Sequence, residues 1–324
     1  MKQLIRWTAL WLFLVAPFAC AAQDSEFPSR RIQMIVPTVP GGGQDVFTRV
    51  VANQMAQDWG QTVVVVNRPG ATGIMGSDIV AKAEPDGYTL MVQSFSHNTN
   101  PSLHKQKLPY DTLKDFTAVS LLATQALVLT SNPKIPVTNI KELIALAKAN
   151  PAKFNYASGG YGSSQHLIAE LFSYKAGINV VHIPYPGIAP GMQAVITGDC
   201  AFIFNQISTA VPYILAGQLR ALAVSSKEPS PLLPGVPTMD SSGLPGFEAT
   251  TWFGLFGPAR MPKSVVAKLN AEIAHILKMP AIKDKLAALG MDVDGGSPEH
   301  FQSFIETENA KWGEFIAQQS IKVE

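Results

Sequence analysis

The sequence predicts an α/β protein of two consecutive lobes, and three observations carry that expectation. Short runs rich in β-branched residues alternate with longer stretches of helical period, the pattern of parallel strands joined by crossover helices. The alternation runs through two cycles, one in the N-terminal third and one in the middle of the chain. The chain has 324 residues, 47% of them hydrophobic, enough to bury a core in each of two domains.

In the first cycle residues 32–36 read as a strand, 45–57 as a helix, 63–66 as a strand, 73–82 as a helix, and 88–93 as a strand entered through the Pro85-Asp86-Gly87 turn. Residues 127–130 then read as a strand. Residues 140–148 read as a helix with Ile140, Leu143, Ile144 and Ala147 on one face. Asn139 stands at its cap, Glu142 at the capping-box position, and Pro151 follows its end. The second cycle places strands at 154–157, 180–183, 201–204 and 221–224, with helices at 164–175, 191–197 and 208–217. Residues 229–246, rich in Pro and Gly, read as irregular surface chain. Two helices close the chain. One spans 264–278, with Val265, Leu269, Ile273 and Ile276 on its stripe. The other spans 298–318, capped by Ser297 with Pro298 in its first turn.

Lys and Arg total 25 against 24 Asp and Glu, a net charge of +1, without the basic excess that counterion displacement from nucleic acid requires. Nucleic acid is not an expected partner. Lys2 and Arg6 precede an apolar stretch at 7–16 and the small residues Ala19, Cys20, Ala21 and Ala22, the layout of a cleavable export signal over residues 1–22. Its removal leaves 23 basic against 24 acidic residues. Acylation of Cys20 is the alternative fate, which Pro17 and Phe18 disfavour. Cys200 is then without a disulfide partner and reads as a small buried hydrophobe, since its neighbour Asp199 offers neither base nor cation.

Two glycine-rich turns carry the chemistry. Val36-Pro-Thr-Val-Pro-Gly-Gly-Gly-Gln-Asp45 joins a strand to a helix, so its backbone can approach a ligand while helix amides point at an anion. Asp45 reads first as a cap of that helix. Tyr156-Ala-Ser-Gly-Gly-Tyr-Gly-Ser-Ser-Gln-His166 repeats the arrangement in the second cycle. One such loop per lobe, at the carboxyl ends of strands, forms a clamp for an organic acid. Neither holds Lys or Arg, so neutral hydrogen bonds and dipoles are expected rather than ion pairs. Ser94, Ser96 and His97 follow the third strand and are expected to face the same cleft, as are Asn205 and Gln206 after another strand; the bland alternative for 94–101 is a polar loop ahead of Pro101. No GxxxxGK[ST] is present, residues 70–76 have the wrong glycine spacing for a dinucleotide turn, and no HExxH occurs, so neither cofactor nor metal is expected. Ser164 and His166, two apart at a helix start with no GxSxG elbow, read as a capping serine and its neighbour rather than a nucleophile pair.

At these residues the sequence resembles the Bug-type receptors, the extracytoplasmic solute-binding components of tripartite tricarboxylate transporters. The matching stretches include IVPTVPGGGQD, VVNRPGATGIMGSDIVAKAEPDGYTL, NYASGGYGSSQHL, VHIPYPG and GLPGFEATTWFGLFGPA, and the resemblance covers essentially the whole mature chain. It implies a periplasmic-binding-protein fold of the type II kind, non-enzymatic, with a cleft between two lobes. Lobe 1 would comprise 23–123 plus 227–324 and lobe 2 residues 124–226, with crossings near 122–126 and 224–227. It further implies that Thr38, Val39, Gly41, Gly42, Gly43 and Asp45 form one wall and Ser158, Gly159, Ser163 and Ser164 the other. The ligand would be a small carboxylate and the partners the transporter's membrane components, with a sensor kinase as the alternative partner. The receptor would be a periplasmic monomer, and a periplasmic serine hydrolase is the enzymatic alternative. A bulky residue at Gly42 is expected to abolish binding.

Three positions depart from the family's usual pattern. Thr38 stands where an aromatic residue is common, Asn205-Gln206 replaces Asp-Asn, and Gln44 stands where a small residue is usual. A roomier, less anionic pocket follows from the first two, disfavouring amines and tolerating further carboxylates. Gln44 is expected to intrude on the site.

Overall fold

The computed structural model describes residues 27–105, 108–151 and 154–322; the expected export segment at 1–22 lies outside them. The first cycle folds as β1 (Ile32–Val36), α1 (Gly43–Trp59), β2 (Val63–Asn67), α2 (Ile74–Ala81) and β3 (Thr89–Ser94). β2 and β3 flank β1 in parallel, with Ile32 opposite Val63 and Gln33 opposite Thr89. α1 lays Phe47, Val51 and Met55 on the buried side of β1 and ends at Gly60, whose φ of 61° reverses the chain.

Residues 96–101, for which a polar loop is the bland alternative, fold into helix α3 (Ser96–Leu103), with Pro101 inside it, while Ser94 ends β3. Its composition is polar because its buried asparagines bond to backbone elsewhere. Asn98 Nδ2 donates to Ile305 O at 2.6 Å and Asn100 Nδ2 to Thr72 O at 3.1 Å.

β4 (Phe116–Ser131) is 16 residues long, far beyond the short strand expected, and it links the two parts of the sheet. After it come α4 (Ile140–Ala149), β5 (Asn155–Ser158), α5 (Ser164–Ala176), β6 (Val181–Pro184), α6 (Ile188–Thr197), β7 (Phe202–Gln206), α7 (Ile207–Leu215) and β8 (Arg220–Val224). The chain then returns as β9 (Thr250–Pro258), followed by α8 (Lys263–Lys278), α9 (Pro280–Ala287), β10 (Met291–Val293) and α10 (Pro298–Gln318). Among the described residues the strands join in the order β2-β1-β3-β9-β4-β7-β5-β6, with β8 and β10 added on β4.

β9 is a central strand that the sequence reading passed over. Trp252, Phe253, Leu255 and Phe256 are all buried, so both faces are apolar and the alternation that marks a half-exposed strand is missing. Gly254 makes room for the Phe301 ring, which would lie 2.0 Å from a Cβ there. Burying four such side chains contributes about 1.5–3 kcal/mol each.

β4 exchanges partners between Ala126, opposite Thr250 of β9, and Leu127, opposite Gln206 of β7. The chain leaves β8 at Ser225, whose carbonyl accepts from Ala249 N at 3.0 Å, and enters β9 at Thr250. The intervening Met239, Leu244, Phe247 and Ala249 pack with Leu127, Phe172 and Phe204, which keeps that segment on the side of the middle strands. Among the described residues no helix is long and apolar enough to cross a membrane.

Candidate functional site

Where the carboxyl ends of β1 and β3 meet the start of α5, a cleft of about 300 Å³ opens. One wall consists of Pro37 and Thr38 after β1, Ser94, Phe95 and Ser96 at the β3–α3 junction, Thr251 of β9, and Gly70, Thr72 and Gly73 ahead of α2. The other is Gly162, Ser163, Ser164 and Gln165 at the start of α5. No lining side chain carries a charge.

Gln93, fully buried at the end of β3, organises the first wall. Its Oε1 accepts from Ser94 N at 2.8 Å and from Ser96 Oγ at 3.3 Å, while its Nε2 donates to Ser77 Oγ at 3.0 Å. Ser77 in turn donates to Gly73 O at 3.0 Å. The 70–73 loop runs through left-handed backbone at Ala71 (φ 46°) and Thr72 (φ 54°), which a β-branched residue adopts only under constraint. Asn100 supplies that constraint by its bond to Thr72 O. Thr38 lines the cleft, and its Oγ1 is buried with no hydrogen-bond partner among the described residues.

The second wall is a helix start. Ser163 is the N-cap of α5, accepting from His166 N at 3.3 Å and donating to Gly160 O at 2.7 Å, so the capping serine is Ser163 rather than Ser164. The first intrahelical bond runs from Leu167 N to Ser163 O at 3.1 Å, which leaves the Ser164 and Gln165 amides without intrahelical acceptors. No acidic residue occupies this first turn.

Thus Thr38, Ser94, Ser96, Ser163 and Ser164 of the expected set share one cavity, and the others lie outside its lining. Val39 is 62% exposed, and Gly41, Gly42 and Gly43 do not line the cleft. A Cβ on Gly42 would meet only Val39 O at 3.8 Å. Asp45 turns inward, accepting from Gly41 N at 2.9 Å, Arg49 Nε at 3.0 Å and Asn67 Nδ2 at 2.9 Å. Burial works to raise its pKa, but these bonds and the Arg49 charge outweigh it and hold the carboxyl below its ordinary range. His97 is 1% exposed and packs its ring against Phe116 and Phe256 at 5.2 and 4.4 Å. Helix α3 aims it into the core, and burial lowers its pKa to about 3. Ser158 is buried, its Oγ accepting from Gly160 N at 3.0 Å, and neither it nor Gly159 lines the cleft. Asn205 is buried and donates to Thr130 Oγ1 at 2.8 Å. Gln206 sits against the α1 turn, its Oε1 3.4 Å from where a Gly43 Cβ would lie. Gln44 does not intrude: its Nε2 donates to Val92 O at 2.7 Å.

Thr251 and the 70–73 loop join the lining without being foreseen, whereas Pro37, Gly162 and Gln165 belong to the two glycine-rich turns and Phe95 to the segment after β3. The Gly70-Ala-Thr-Gly73 turn stands out in the sequence by its glycines, whose spacing does not fit a dinucleotide turn, and by lying in a stretch that resembles the family, neither of which places it in the cleft. One Ser–His contact also went unforeseen, Ser158 Oγ lying 2.6 Å from His182 Nε2. It lacks the parts of a nucleophile: Ser158 is fully buried and also engages Gly160, and His182 Nδ1 has no partner to orient it.

With this geometry in hand, comparison places the chain among known proteins. Residues 47–321 match the family described as "Tripartite tricarboxylate transporter family receptor". The chain is 35% identical over 309 residues to Protein BugT of Bordetella pertussis, covering 95% of each. Its fold matches Rpa4515 of R. palustris solved with adipate (TM-score 0.84, 30% identity, 92% of this chain and 100% of that one). It also matches MatC of Rhodopseudomonas palustris with bound malate (TM-score 0.78, 30% identity, 89% and 99%). The chain belongs to the tripartite tricarboxylate transporter receptor family of solute-binding proteins.

Proposed function

We propose that this receptor captures a small organic carboxylate in the cleft between α5 and the 70–73 and 94–96 segments, and delivers it to the membrane components of a tripartite tricarboxylate transporter. The observation that carries the reading is the uncharged cleft into which α5 starts. Two first-turn amides there lack intrahelical acceptors, no acid neutralises the positive helix end, and Thr38, Ser94 and Ser96 line the opposite wall. A carboxylate accepts from the Ser164 and Gln165 amides, and the hydroxyls of the opposite wall hold the rest of the molecule. About 300 Å³ is at the small end of ligand pockets, which suits a dicarboxylate better than a large aromatic acid. The neighbours solved with adipate and malate support the same class.

Capture would proceed by closure of two lobes, 23–126 plus 250–324 against 127–249, hinged where β4 changes partners and where the chain returns at 249–250. Residues 1–22 would direct export to the periplasm and be removed. A thermal-shift panel of aliphatic di- and tricarboxylates, aromatic acids, amino acids and sugars, with mass spectrometry of each mixture, tests the proposal. A selective rise in Tm with one carboxylate class and no product is expected. A shift with amines or sugars alone, or conversion of an acid, would overturn it.

A further inference from the structure

Among the described residues three helices begin with the same device, and in one of them the device has changed its charge. In α1, capped at Gly42, the third helical residue Asp45 reaches back to Gly41 N at 2.9 Å. In α4, capped at Asn139, the third residue Glu142 reaches back to Thr138 N at 2.6 Å. In α5, capped at Ser163, the third residue is His166, and its Nδ1 accepts from Gly162 N at 3.1 Å. Each bond satisfies the amide just before the cap and fixes the entry of the chain. Two of the acceptors are anions at the positive end of their helices. The third is an imidazole, and its helix is the one that faces the cleft.

We propose that His166 is a specificity-determining positioning residue: it holds the Gly162 turn as a carboxylate would, but without an anion, and so leaves the α5 end to the carboxylate of the solute. The inference rests on the reading of the cleft given above. Acceptance at Nδ1 requires the Nε2–H tautomer, and a proton on Nδ1 would set two donors against each other. The surroundings keep the ring neutral. His166 is 4% exposed and stacks on His182 with centroids 4.1 Å apart and planes at 17°. Tyr161 meets both rings edge-on. Beyond His182 lies Tyr156, which stacks on it and donates to the Glu170 carboxyl. Burial and then the neighbouring His182 lower the pKa of His166 to about 3. His182 steadies the same turn from its other end, through Ser158 Oγ to Gly160 N at 3.0 Å.

The test compares H166N, which keeps a neutral acceptor at the δ position, with H166E and H166D, which restore the anion of α1 and α4. Kd for adipate and for malate is measured by calorimetry at pH 7, and exchange of the Gly162 amide by NMR. H166N is expected to stay within about threefold of wild type. The acidic variants are expected to keep Gly162 protected yet bind about tenfold or more weakly. Acidic variants that bind either acid as tightly as wild type would overturn the inference, as would a wild-type imidazole protonated on Nδ1. Wild-type protein that binds neither acid nor any other carboxylate overturns the reading of the cleft itself, and the inference with it.

Discussion

Helices α1 and α5 both follow a parallel strand through a glycine-rich turn, and the sequence offered no reason to rank one above the other. The structure separates them. α1 starts at Gly42 with no side-chain cap and carries Asp45 in its first turn, so its positive end is already answered by a carboxylate tied to Gly41, Arg49 and Asn67. α5 starts at a serine cap, has no acid in its first turn, and lines the cleft with Gly162, Ser163, Ser164 and Gln165. Glycine lets backbone approach a ligand, but the charge within the first turn decides whether the helix end remains available to one.

The largest effect follows from making α5 resemble α1. Ser164→Asp places a carboxylate at the helix end that the solute's carboxylate would use. Binding of dicarboxylates should fall by about 100-fold or more while Tm holds or rises slightly, since an acid suits a helix N-terminus. Calorimetry beside a melting curve reads both; retained affinity would break the comparison.

Acid should act through the buried histidines, two of which stack behind the α5 wall. The unfolded chain takes up their protons near pH 6.5, whereas His97 and His166 in the fold wait until about pH 3 and His182 until about 4, because burial disfavours the imidazolium and, at His166, the neighbouring His182 adds to it. Stability should therefore be fully present above pH 6.5 and decline progressively as the pH drops through 4 towards 3. Urea titrations across that range check it, and a flat profile would contradict it.

Asp45→Asn removes the internal anion of α1. It should cost about 1–3 kcal/mol of stability through lost charge-assisted bonds, with solute affinity changed by less than about threefold. A large loss of affinity at unchanged stability would move the site to the α1 end. Smallest of all, Gly42→Ala should cost under about 1 kcal/mol and leave affinity untouched, since a Cβ there meets only Val39 O at 3.8 Å.

What the sequence disclosed followed periodicity. β1 and β2 show β-branched runs with turn residues after them, α8 shows its apolar stripe and α10 its cap, so their places could be read directly. β9 could not be, because burial on both faces erases alternation, nor could α3, whose polar residues look like a loop until Asn98 and Asn100 are seen bonding to distant backbone. In the cleft, Thr38, Ser94, Ser96, Ser163 and Ser164 were legible as hydroxyls at the carboxyl ends of strands and at helix starts. The 70–73 loop was not. Its part depends on left-handed backbone at Ala71 and Thr72, residues that do not advertise such a conformation. His97 misled because a polar residue beside a strand end looks the same whether the helix that follows turns it outward or into an aromatic core.

The most direct measurement of the central claim is a backbone amide NMR titration of the mature protein with adipate and malate. The account predicts the largest shifts at Ser164 and Gln165, with smaller ones at Thr38, Thr72 and Ser96. Shifts confined to the α1 start at 42–44, or to the separate cavity of about 380 Å³ lined by Ser226, Lys227 and Leu232, would contradict it.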